Sequence, residues 1–403
     1  MTLYEELIWR GLIKDFSDPV LADKLNNEKL TFYIGIDPTG DSLHIGHFAS
    51  ILVCKRLLEH GHHPLVLIGG ATGLIGDPKP ESERPMITKE KVLSNCDALT
   101  NQIKNIFNLD VVNNYDWLKD ITFIDYLRDY GKYFPIGYML NKDIVKRRLD
   151  EGITYTEFSY MIMQAADFLW LYENKNCTMQ VAGQDQWGNI TAGIELIRRK
   201  IGGSAYAFTM PLVLKKDGTK FGKTSTGESI WLSKEKTSVY DFYQFFFNIE
   251  DDAVVDYLKR FTFLNKEELD VLEVSLKEKP ELRSASRALA FEVTKFVHGE
   301  EAALVAEATS KEIFLQGGES INMPSKEIDL NIIVAGINVV DLLIAVDLVP
   351  SKSEGRRLIE QGGLVINKEK VIDPNLIIDQ SYLTDNYLII QKGKKSYYKV
   401  VGN

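Results

Sequence analysis

The apolar positions in the first half of the chain fall into short unbroken runs, set between longer stretches that mix apolar and polar residues. Thr31-Phe32-Tyr33-Ile34-Gly35-Ile36 predicts a short buried strand, Asp37-Pro38-Thr39-Gly40 a turn, and residues 44–60 a helix closed by Gly61. Pro64 to Ile68 predicts a second strand running into Gly69-Gly70. Cys177 to Val181 predicts a strand and Asp185 to Lys200 a helix, with Asp185 as its candidate N-cap. Strands interleaved with helices predict a parallel sheet covered on both faces, with ligands beyond the carboxyl ends of the strands. From about 238 to 315 the pattern is helical. After 338 it is mixed: helices near 339–346 and 353–361, then strand-like Leu364 to Ile366, Tyr387 to Gln391 and Ser396 to Val401.

Size and charge refine this picture. At about 150 residues per domain, 403 residues predict two to three domains. Gln316-Gly317-Gly318-Glu319-Ser320 followed by Pro324-Ser325 reads as a linker. Cys54, Cys96 and Cys177 show no paired spacing, which excludes a disulfide framework and a CxxC zinc site and suits a reducing compartment. No secretory or transit pattern and no membrane-spanning apolar run is read, so the expected location is the cytoplasm, with no membrane partner. The net charge of −10 argues against nucleic acid, but it is unevenly spread: residues 331–403 carry nine basic and eight acidic side chains, a balance of +1 that leaves −11 on the rest.

Five segments could carry chemistry. His44-Ile45-Gly46-His47 opens a helix directly after a strand and a turn, where free N–H groups and the positive end of the helix dipole suit phosphate; chance capping is the alternative. Zinc at His44 and His47 lacks a third ligand at suitable spacing. Lys220-Phe221-Gly222-Lys223-Thr224 fails the P-loop template, because only three residues separate Gly218 from Gly222, yet two lysines and a hydroxyl could close over an anion. Tyr160, Gln164 and Asp167 share one face of an otherwise apolar helix, as a water-facing stripe or as the polar floor of a pocket. Gly69 to Pro78, which includes Asp77, is a glycine-rich loop, and Gly183-Gln184-Asp185-Gln186 follows a strand where ligands bind.

In this order the segments resemble the bacterial-type tyrosyl-tRNA synthetases, of class I of the aminoacyl-tRNA synthetases, along essentially the whole chain. Pro38 to His47 is similar to the "HIGH" signature and Lys220 to Thr224 to the "KMSKS" loop. Leu7 to Leu12, Phe158-Ser159-Tyr160 and Gly183 to Gly188 match the family pattern, and Ser351 to Asn367 resembles an S4-type RNA-binding module. The resemblance implies a Rossmann-like α/β catalytic domain at 1–232, an α-helical anticodon-arm domain at 233–325 and a small α+β S4-like domain at 338–403. It implies activation of L-tyrosine with ATP and Mg2+ to tyrosyl-adenylate and pyrophosphate, then transfer to the 3'-terminal adenosine of tRNA(Tyr), by a homodimer.

By the same resemblance Tyr33 and Asp167 hold the substrate's phenol, and Asp77, Tyr160 and Gln164 its ammonium group, with Gln186 near its carboxylate. Gly35, Asp37, His44, His47, Gly183, Asp185 and Lys223 hold ATP. Thr39, His44, His47, Lys220, Lys223 and Thr224 serve the chemistry, Lys352, Arg356 and Arg357 meet tRNA, and no residue is assigned to a resident metal. Ile34 stands where some relatives carry a cysteine that reaches the ribose. A non-catalytic RNA-binding relative need not keep His44, His47, Lys220, Lys223 and Asp167 together, a nucleotidylyltransferase would lack the tRNA-type tail, and a tryptophan-specific relative would lack the Tyr33 and Asp167 pair.

Overall fold

A computed structural model describes residues 1–77, 87–149, 152–214, 221–222, 229–316, 325–393 and 396–403. The chain divides into two compact units, Met1–Ser233 with Lys259–Phe263, and Lys234–Leu258 with Leu264–Asn403.

The first unit is built on six strands: β1 (Asp15–Phe16), β2 (Thr31–Ile36), β3 (His63–Ile68), β4 (Asp110–Asn113), β5 (Cys177–Gly183) and β6 (Tyr206–Met210). They lie in the order β1-β6-β5-β2-β3-β4, all parallel except the edge strand β1, which runs against β6. The run from β2 proceeds outward through β3 to β4, and the run from β5 proceeds the other way to β6. The winding therefore reverses between β2 and β5, and the crevice beyond their carboxyl ends is where a doubly wound sheet binds ligands. The predicted strands at 31–36, 64–68 and 177–181 and the helix at 44–60 all appear, the helix as Ile45–Glu59 with His44 as its N-cap.

One local expectation fails. Asp185 is not a helix cap: it lies in a short 3-10 turn, Gln184–Gln186, and the α-helix starts at Trp187 with Gln186 at its N-cap position. Gly183 leaves room for the Asp185 carboxylate, which would come within 2.6 Å of a Cβ there. With no Cβ at Gly183, the acid can lie over the end of β5.

The helix Tyr155–Lys175 lies against the helix Trp187–Ile201, and their apolar faces join one core with Tyr33, Met139 and Trp117. Thr154 starts the first of these helices with a capping box closed by Glu157. Glu157 also takes a two-pronged bond from Arg148, at 2.9 and 3.2 Å, with both side chains buried. Arg148 is therefore spent on the fold. Arg198 and Arg199 are likewise tied to Glu195 on their own helix.

The second unit joins helices and a small mixed sheet. Val239–Phe247, Ser284–His298 and Glu300–Gln316 pack on one another, matching the helical pattern expected from 238 to 315. Five strands follow in the order Glu369–Lys370, Leu364–Ile366, Tyr387–Lys392, Ser396–Gly402, Ser325–Ile328, with helices Val339–Ala345 and Lys352–Glu360 beside them. Gly355 lets those two helices approach: a Cβ there would lie 3.0 Å from Val340. The sheet meets the first helix of this unit directly. Tyr240 packs with Ile389 and Tyr397, and the Tyr398 hydroxyl donates to Asp241 at 3.2 Å. The expected linker at 316–325 falls mostly on residues outside those described.

Candidate active site

One end of the crevice is made from three separate elements. Tyr33 comes from β2, Asp167 from the middle of the helix Tyr155–Lys175, and Asn114 and Trp117 from the segment after β4. Asp167 is 2% exposed; one of its oxygens accepts from Trp117 Nε1 at 2.8 Å and the other from Asn114 Nδ2 at 2.9 Å. Burial pushes its carboxyl from 3.8 up to about 7, although those two bonds pull the other way. The Tyr33 hydroxyl is buried and has no hydrogen-bond partner, and burial beside Asp167 holds it well above its ordinary pKa. A buried hydroxyl without a partner is costly, so it marks a place where a ligand's polar group completes the bonding.

The same network continues toward the middle of the crevice. Asn114 Nδ2 also meets Thr72 Oγ1 at 3.0 Å, and the Thr72 hydroxyl donates to Asp37 Oδ1 at 3.1 Å. The Tyr160 hydroxyl donates to the other Asp37 oxygen at 3.2 Å. Asp37, expected at the nucleotide, is thus turned toward Tyr160. Gln186 donates to Asp77 at 2.8 Å and Asn189 to Gln186 at 3.0 Å, so those three form a second polar group. Burial first, then Asp37, Asp77 and Asp167, raise the Tyr160 hydroxyl far above its usual pKa. Three carboxylates acting on one phenol make a basin that favours a cation such as an ammonium group. Gln164 is half-buried on the same helix, and the stripe does not face water at Tyr160 or Asp167.

The other end of the crevice is open and made largely of backbone. His44 Nδ1 accepts from the N–H groups of Gly46 at 3.1 Å and His47 at 3.4 Å, and His47 Nδ1 accepts from His44 N–H at 3.4 Å. The rings stack with centroids 3.8 Å apart. With Nδ1 accepting, a neutral ring carries its proton on Nε2, which is left as a donor. Burial, then the neighbouring His44, lowers the His47 pKa to about 3, so it is a neutral donor at physiological pH. Gly35 and Thr39 are exposed at the end of β2, and Asp185 at the end of β5. A cavity of about 370 Å³ adjoins them, lined by His44, Gly46, Gly183, Leu212 and Phe221 among others.

Of the lysine loop, Phe221 and Gly222 are described; Lys220, Lys223 and Thr224 lie outside the described residues. Both ends of that loop are anchored on the start of the histidine helix. Ile230 N–H donates to Gly222 O at 2.9 Å and Ile45 N–H to Ile230 O at 3.1 Å, and His44 bridges to Trp231. Gly222 has φ +96°, with a Cβ position only 3.2 Å from Ile45, so only glycine lets the loop lie this close.

The family model described as "tRNA synthetases class I (W and Y)" matches residues 25–315. This chain belongs to that family. A second model, the "Tyrosine--tRNA ligase SYY-like C-terminal domain", matches residues 319–400. Among similar proteins, this synthetase is 47% identical to a tyrosine–tRNA ligase of Limosilactobacillus reuteri and 45% identical to one of Geobacillus stearothermophilus, each alignment covering 99% of both chains. A C-terminally truncated mitochondrial tyrosyl-tRNA synthetase of Aspergillus nidulans has a similar structure, with a TM-score of 0.70 and 31% identity over 78% of this chain and 94% of that one. As a class I synthetase, the protein uses ATP as a substrate. The residues that sequence reasoning missed, Asn114, Trp117, Thr72 and Asn189, carry no motif of their own; only the fold brings them to the acids they hold.

Proposed function

We propose how this chain, a tyrosine–tRNA ligase of class I, uses these groups. The observation that carries the reading is the unpaired, buried Tyr33 hydroxyl beside the buried Asp167 carboxylate. A substrate phenol donates a hydrogen bond to Asp167 and accepts one from Tyr33, completing both. The substrate ammonium sits among Asp37, Asp77 and Tyr160, with Gln164 beside it, and Gln186 lies near the carboxylate.

That carboxylate attacks the α-phosphate of ATP, and the bond to pyrophosphate breaks. No protein nucleophile is needed; positioning and charge stabilisation supply the rate. Nε2–H of His44 and His47, the Thr39 hydroxyl and the helix start face the phosphates, while Lys220, Lys223 and Thr224 close over the leaving group. Gly35, Gly183 and Asp185 hold the nucleoside. Mg2+ arrives on the phosphates and shares their charge. A ribose hydroxyl of the tRNA's terminal adenosine then takes the tyrosyl group and releases AMP.

Residues 233–325 serve as the anticodon-arm domain and 338–403 as the S4-like RNA-binding domain, with Arg356 and Arg357 exposed on the helix Lys352–Glu360. Lys352 pairs with Asp341 at 2.6 Å and is the less available of the three cations. The protein works as a homodimer. Phe123, Ile124, Ile136 and Tyr155, each more than 60% exposed, give the second copy an apolar face. The location is cytoplasmic; among the described residues no helix is long and apolar enough to cross a membrane. Amino-acid-dependent ATP–pyrophosphate exchange across the twenty amino acids tests the activity: exchange with tyrosine is expected, and exchange with another amino acid but not tyrosine would refute it.

A further inference from the structure

We propose that Arg260 is a nucleotide-binding residue whose planar guanidinium stacks on the purine base of ATP; this rests on the ATP reading above. Arg260 lies in Lys259–Phe263, a short strap that belongs to the first unit although its flanking residues belong to the second. The strap is fixed on both sides of Arg260. Arg10 donates to the carbonyls of Lys259 at 2.9 Å and Thr262 at 3.4 Å, and Arg56 donates to Thr262 as well. The Phe261 ring stacks on Phe48 of the histidine helix at 5.9 Å and lies 5.5 Å from Phe221 of the lysine loop.

Arg10 and Arg56 are thus spent on the strap's own carbonyls. Arg260 has no hydrogen bond or ion pair among the described residues, although it is half-buried. It lines the cavity of about 370 Å³ beside His44 and Gly46, and these two histidine and arginine side chains are the only ionisable ones among the described residues that line it. The Arg260 guanidinium lies against Gly11, 3.4 Å from where a Cβ would stand, which is ordinary contact distance. The remaining wall is mostly apolar, with Leu12, Met210, Leu212 and Val213, and includes the hydroxyl residues Ser50 and Ser229. A mostly apolar wall with one unpaired guanidinium suits a flat heteroaromatic ring, which offers a π-face to the cation, and does not suit a triphosphate.

Tyrosine-dependent ATP–pyrophosphate exchange with Arg260→Ala and Arg260→Lys tests this. Arg260→Ala is expected to raise KM for ATP by roughly 3- to 20-fold, the range of a stacked cation. KM for tyrosine and, in the reverse direction, KM for pyrophosphate should stay unchanged. Arg260→Lys keeps the charge but not the plane, and its KM for ATP should remain at least about 3-fold high; it also serves if the alanine variant does not fold. An unchanged KM for ATP, full recovery with lysine, or an equal rise in KM for pyrophosphate would each overturn the proposal. Absence of tyrosine-dependent exchange in the unaltered protein would instead sink the ligase reading itself.

Discussion

The two ends of the crevice are built on opposite physical plans. At the phenol end, side chains are buried and already bonded to one another: Asp167 holds Asn114 and Trp117 before any ligand arrives. At the nucleotide end, two stacked imidazoles take up the N–H groups of the helix start and leave their Nε2–H groups as donors. A closed network suits discrimination, because a ligand that lacks one polar group leaves a buried partner unsatisfied. An open rim of donors suits charge that grows during reaction, because those donors need not reorganise. Substitutions at the two ends should therefore fail differently, in recognition at one and in rate at the other.

The largest effect is expected at the nucleotide end. Lys223→Ala should lower kcat for adenylate formation by about 100- to 1,000-fold with KM for tyrosine nearly unchanged. Presteady-state measurement of adenylate formation checks this, and a loss confined to tyrosine binding would erase the contrast between the ends.

Next comes Asn114→Ala, which removes one bond that lowers the Asp167 pKa and leaves the carboxyl less supported. A loss of about 1–2 kcal/mol, roughly tenfold in tyrosine affinity, is expected near pH 7. The sign of the pH dependence follows from the shift up to about 7. Below that value Asp167 is protonated and accepts less well from the phenol, so tyrosine affinity falls as pH drops from 8 to 6. Without Asn114 the midpoint moves to higher pH. The same raised pKa makes the folded state lose stability as pH climbs from about 4 through 7, since the buried acid must then ionise. Fluorescence titration with tyrosine across pH reads the first effect and thermal melts the second.

The smallest effect is expected far from both ends. Replacing Arg356 and Arg357 together by alanine should raise KM for tRNA by about 3- to 10-fold, steeply dependent on salt, while pyrophosphate exchange is untouched. An equal loss in both assays would show that the helix Lys352–Glu360 matters for folding and not for RNA.

The same contrast decides how much the sequence revealed. The nucleotide end was legible because its devices are local: His44, Gly46 and His47 lie within one helical turn, and the strand, turn and helix around them follow from periodicity. The crevice between β2 and β5 follows from alternating strands and helices. Asp185 was misread because acid before a helix is a common cap, and the 3-10 turn that displaces it has no distinct pattern. The phenol end was legible only in part. Tyr160 and Asp167 share a helix face, but whether that face meets water or the core depends on packing. Asn114 and Trp117 lie some fifty residues from Asp167, and no periodicity links them to it. Asp37 sits in a recognisable turn, yet Tyr160 and Thr72 set its direction.

The claim that the closed end reads a phenol is tested most directly by the ratio of kcat/KM for tyrosine to that for phenylalanine in pyrophosphate exchange. The measurement compares the unaltered protein with Asp167→Asn and Tyr33→Phe. The account predicts a large preference for tyrosine that falls by at least about tenfold in each variant, chiefly through loss of tyrosine activation. An unchanged ratio in both variants would contradict it.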